Sequence, residues 1–177
     1  MSDLPLHPLV VHFPVVLAVL LPIAIIVALW VIRKGGAPRR VWAVPLAIAV
    51  ALAVSAWVAV ETGEDQEDRV ERVIAKGALH GHEEAAERFL VLSGVLAAVA
   101  VAGLARGTVG RAARVVAAVG AVGVLGAGVL VGHSGGVLVY REGAASAYAA
   151  GRVGDGERAR PSPERIANSE REERDRR

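Results

Sequence analysis

LVVHFPVVLAVLLPIAIIVALWVI, residues 9–32, contains no charged side chain. A membrane-spanning helix needs about 20 mostly apolar residues, so this stretch sets the class of the whole chain. Residues 41–60, 89–105 and 115–132 are likewise free of charge. All 20 Lys and Arg and all 18 Asp and Glu lie outside these four runs. A helix on the surface of a water-soluble protein keeps a polar face, and none of the four runs has one. The expected fold is all-α, an integral membrane four-helix bundle over residues 1–143, with the lipid bilayer as its first partner.

The charges between the runs are segregated. Arg33, Lys34, Arg39 and Arg40 separate the first two runs, and Arg106, Arg111 and Arg114 separate the last two, with no acid in either connection. Residues 61–88 carry nine acids and four bases instead. Short loops rich in Lys and Arg stay cytoplasmic, so the bundle is expected N-out and C-out, with 61–88 outside. Trp30 and Trp42 at one boundary, and Trp57 and Tyr140 near the other, fit aromatic belts at both interfaces. The N-terminus lacks the basic region of a cleaved signal peptide.

Local patterns refine this outline. Val70, Val73 and Ile74 recur at helical spacing among charges, which predicts a short amphipathic helix over 64–76 on the outer face, ended by Gly77. Pro14 removes a helix hydrogen bond and restrains Phe13, so 6–13 is expected as a bent or interfacial lead-in, with the regular helix starting near Pro14. Gly128 and Gly132 form a GxxxG spacing, read as tight packing inside the monomer in preference to a homo-oligomer contact. The tail, 144–177, is charged, contains prolines and holds few large apolar residues, a composition expected to be disordered.

Composition then limits the chemistry. Cysteine is absent and the only methionine is Met1. Disulfides, iron–sulfur clusters, c-type haem attachment and cysteine zinc sites are therefore excluded. A net charge of +2 is not the basic surplus of a nucleic-acid binder. No catalytic constellation is visible: Ser134 follows His133, but no buried acid is identifiable to orient such a pair.

The histidines carry the chemistry that remains. His7 and His12 lie at the start of the first helix, His80 and His82 near the start of the third, and His133 at the end of the fourth, all on the expected outer side. Ionisable residues near membrane depth mark functional sites, and imidazole suits zinc, copper, iron and nickel. His12, His82 and His133, from three helices, are the expected ligands of a b-type haem or a transition metal ion, in a protein of electron transfer. Arg88 or Arg141 would pair with haem propionates. An outer-face metal-ion binder would draw on His7, His80, His82, Glu83 and Glu84 instead. The competing reading takes the histidines as amphipathic interfacial residues in a non-catalytic scaffold or assembly protein.

The same segments resemble a known family. LHPLVVHFP (6–14), TGED (62–65) with HEEAAE (82–87), and GHSGGVLVY (132–140) are similar to the signatures of a bacterial membrane-protein family catalogued as domain of unknown function 2231. The similarity covers about 6–143. It implies a four-helix domain of the bacterial plasma membrane without established activity, associated by fusion or neighbourhood with Rieske-type or cytochrome redox partners. The residues it marks here are His7, His12, Gly63, His82, Glu83, His133, Gly135, Gly136 and Tyr140. Gly135 and Gly136 would let the fourth helix end and turn.

Overall fold

Four helices long and apolar enough to cross a membrane dominate the computed structural model, which describes residues 6–70 and 76–141. The elements are α1 (Leu6–Val10), α2 (His12–Arg33), α3 (Pro38–Val70), α4 (Lys76–Ala102) and α5 (Gly107–Tyr140), with no strand among the described residues. The candidate spans are 22 to 34 residues long. At about 1.5 Å per residue even the shortest covers a hydrocarbon core of about 30 Å. The chain is a multi-pass, all-α membrane protein.

What packs inside is set by size rather than polarity. The buried positions are Ala18, Leu21, Ile25 and Ala28 on α2, and Trp42, Pro45, Ala49, Leu52, Ala56 and Ala59 on α3. On α4 they are Phe89, Ser93, Leu96 and Ala100, and on α5 Gly110, Arg114, Ala117, Ala121 and Val124. Each series steps by three and four residues, the seam of a left-handed bundle. Lipid is as apolar as leucine, so small residues that let backbones approach supply the association. Valines such as Val19, Val27, Val54, Val101, Val119 and Val122 face outward. The four long helices pack in cyclic order, α2 on α3, α3 on α4, α4 on α5 and α5 on α2.

The end bearing the short connections is built from backbone caps. Gly35, at φ 98°, closes α2: its N–H reaches Ile32 O at 3.1 Å and Gly36 N–H reaches Val31 O at 3.0 Å. This is a Schellman turn, which favours glycine at the left-handed position. The C-terminal carbonyls of α4 are capped from other helices. Trp42 Nε1 donates to Ala100 O at 2.8 Å, Arg114 Nε to Gly103 O at 2.8 Å, and Arg39 Nε to Leu104 O at 3.0 Å. The Arg114 guanidinium also lies over the Trp42 ring at 5.9 Å.

Several local expectations are corrected. Trp42 is not a belt residue; it is fully buried, whereas Trp30, Trp57 and Tyr140 are exposed as a belt requires. Arg111 and Arg114 lie within α5, and only Arg106 remains in the turn. Residues 64–70 continue α3 and Gly77 sits inside α4, while residues 71–75 of the expected helix over 64–76 lie outside the described residues. Gly135 and Gly136 lie within α5, which runs to Tyr140. The lead-in is helical: α1 and α2 are divided only at Val11, which keeps φ −60° and ψ −20° with its N–H 3.1 Å from His7 O, and Pro14 has no N–H for Val10 O. Of the GxxxG pair, a Cβ on Gly128 would meet Phe89 at 3.2 Å, whereas one on Gly132 would meet nothing within 4 Å. Residues 71–75 and the expected tail lie outside the described residues.

Candidate functional site

α1 packs against α3, and Val11, which divides it from α2, keeps right-handed helical φ −60° and ψ −20°. This places His7 beside Ala59 and Gly63. His7 Nδ1 lies 2.8 Å from Ala59 O. A carbonyl can only accept, so Nδ1 carries the hydrogen and the neutral ring keeps its lone pair on Nε2. A Cβ on Gly63 would stand 3.2 Å from His7 Cε1, so the ring rests on the bare backbone of α3.

His82 is held in a matching way by α5. Its Nδ1 lies 2.9 Å from Ser134 Oγ, and Ser134 Oγ donates to Val131 O at 3.0 Å. The single hydroxyl hydrogen is thereby committed, so Oγ accepts from His82 Nδ1–H, and again Nε2 keeps the lone pair. A Cβ on Gly135 would stand 3.1 Å from His82 Cε1. The two half-buried rings meet edge to face, with centroids 6.4 Å apart and planes at 85°. His7, Gly63, His82 and Gly135, all marked by the family resemblance, thus converge in one place.

The other expected ligands are placed elsewhere. His12 and His133 are exposed. The buried seam of α2 includes Pro14 and Ala18, and His12 falls off it; the seam of α5 continues from Val124 to Leu138 in steps that skip His133. The seam of α4, extended back from Phe89, reaches His82. The structure therefore joins His82 to His7 and leaves His12 and His133 on outward faces. His80 is 82 % exposed, with Nδ1 3.8 Å from Glu83. Arg88 pairs with Glu84 on its own helix. Among the described residues no group of three or more His, Asp or Glu could hold a metal ion. Sequence reasoning missed Ala59 O and Ser134 as partners, and the glycines as seats for the rings.

Burial holds His7 below its ordinary value of 6.5, an effect its bond to Ala59 O partly offsets. The folded state therefore binds a proton here less readily than the unfolded one. The resulting stability is complete above 6.5 and is lost as pH falls from there through the lowered folded value. Thermal melts of the solubilised protein at about pH 7.5 and about pH 5 are expected to separate less in His7→Gln than in the wild type. An equal separation in both would remove His7 from the acid response.

Compared with protein-family models, curated proteins and solved structures, the chain has no match.

Proposed function

We propose that the protein is an electron-transfer protein of the bacterial plasma membrane that binds haem iron through Nε2 of His7 and His82 at its outer face. The carrying observation is the pair of Nδ1 bonds. Metal-ligating histidines almost always donate their other N–H to a carbonyl, carboxylate or similar acceptor, which fixes tautomer and ring orientation. Both rings have that arrangement, to Ala59 O and to Ser134 Oγ.

Donor number favours haem over a bare ion. A structural zinc site takes four ligands, and two imidazoles supply half of that. A haem would bring most of its own iron ligands, and His7 and His82 would be the side chains that hold it. When bound, the iron would supply one-electron chemistry. The chain's own contribution would be to hold both rings in one tautomer and to bury them in part.

The proposal of a redox partner at the outer face follows what the motif resemblance to the domain of unknown function 2231 family implies. A scaffold is the second reading, since His7 ties α1 to α3 and His82 ties α4 to α5. An absorption spectrum of the full chain purified from haem-replete cells, oxidised and reduced, with metal analysis of the same sample, separates them. A Soret band is expected that disappears in His7→Ala and in His82→Ala and survives in His12→Ala and His133→Ala. A colourless, metal-free protein would leave the scaffold. A metal without a Soret band would identify an ion site, and loss of the band in His133→Ala alone would move the ligand to that residue.

A further inference from the structure

The opposite end of the bundle carries a second surface, independent of the histidine pair. Arg33, Lys34, Arg39, Arg40, Arg106 and Arg111 are all exposed there. Neither 6–60 nor 89–141 contains an Asp or Glu. Among the described residues, the acids of 61–70 and 76–87 belong to the far ends of α3 and α4, about 30 Å away across the apolar spans. Among the described residues these bases have no carboxylate near them.

The two basic connections are also locked to each other. Arg39 of α3 holds Leu104 O in the α4–α5 turn, and Arg114 of α5 holds Gly103 O in the same turn. Trp42 clamps Ala100 O one turn earlier. The bases are thus presented as one preformed surface at the end of lipid-facing helices, with Trp30 exposed one turn below Arg33. Whatever lies beside that exposed indole lies beside the bases.

We propose that this surface docks anionic phospholipid headgroups, binding their phosphodiester groups and excess negative charge through Arg40, Arg106 and Arg111. The partner's chemistry follows from position and charge: unpaired cations at the boundary of an apolar bundle meet the headgroup layer first. Each Lys or Arg near an anionic surface contributes about fivefold to such binding, so several together select anionic over zwitterionic lipid.

Brominated lipids test this through the exposed tryptophans. The full chain is reconstituted in phosphatidylcholine vesicles containing equal fractions of either brominated phosphatidylglycerol or brominated phosphatidylcholine. The Trp30 contribution is taken from the difference between wild type and Trp30→Phe. Quenching of Trp30 by the brominated phosphatidylglycerol is expected to exceed that by the phosphatidylcholine at least about twofold. The excess is expected to vanish in about 1 M salt, where the screening length is about 3 Å, and in Arg40→Gln/Arg106→Gln/Arg111→Gln. Trp57, at the acidic end, is expected to show no such excess. Equal quenching of Trp30 by both lipids overturns the proposal, as does an excess that survives the triple substitution. Suppression of the excess by inorganic phosphate, but not by the same ionic strength of chloride, would reassign the surface to a soluble anion. Should the triple variant fail to fold, the salt dependence and Arg111→Gln alone carry the same decision.

Discussion

Trp42→Ala is expected to lower the stability of the folded bundle by about 3–5 kcal/mol, the range for emptying a buried tryptophan site. Trp42 is fully buried at the start of α3, where the helices converge. Its loss removes packing volume, the donor to Ala100 O and the ring beneath the Arg114 guanidinium together. Arg114, only 6 % exposed, would then border a cavity while still bound to Gly103 O. Trp42→Phe separates the contributions: it keeps most of the bulk and removes the indole donor, and is expected to cost about 1 kcal/mol beyond its small loss of volume. Reversible unfolding in mixed micelles, followed by helicity, measures both. If Trp42→Ala proves no worse than Trp30→Phe at the exposed belt position, the buried indole is not a keystone of this end.

The number of spans was legible because charge-free length is a one-dimensional property. What lay inside the bundle was harder to read, since Val, Leu and Ala are all apolar and a test for a polar face ignores size. The signal was present in the spacing of small residues. Ala49, Ala56 and Ala59 on α3 are seven and three residues apart, with Leu52 between the first two, and Ala117 and Ala121 on α5 are four apart, which marks the seam. Following that seam would have separated His82, which lies on it, from His12 and His133, which do not. His7 lies on a seam too: counting back from Ala18 through Pro14 and Val11, in steps of four, three and four, reaches it. Ala59 O is a backbone atom and has no sequence signal at all. Gly63 and Gly135 stood out only through the family resemblance, and the rings resting on them give a physical reason for glycine at both positions. Trp42 misled for a related reason: a tryptophan near a basic loop fits a belt by position, and only the fold shows that it turns inward.

Gly110→Ala is expected to destabilise the protein by at least about 2 kcal/mol, although the same change in an exposed helix gains about 1 kcal/mol from propensity. A Cβ on Gly110 would overlap Ala105 O and stand 2.8 Å from Ala105 C and 3.3 Å from Arg114 Nη2. The obstacle is backbone, and that backbone has little freedom to retreat. The turn is held at Gly103 O by Arg114 and at Leu104 O by Arg39. Relief of the overlap would separate the start of α5 from the end of α4 and loosen both bonds. Gly123, on the same helix, is the control: it is exposed, and a Cβ there would meet nothing within 4 Å. Gly123→Ala is expected to be neutral or stabilising by up to about 1 kcal/mol. One substitution at two sites of one helix thus has opposite signs, and propensity cannot account for the difference. Unfolding curves for the two variants under the same conditions decide it: a Gly110→Ala protein as stable as Gly123→Ala would mean that the α4–α5 turn yields, and that the caps from Arg39 and Arg114 do not hold it.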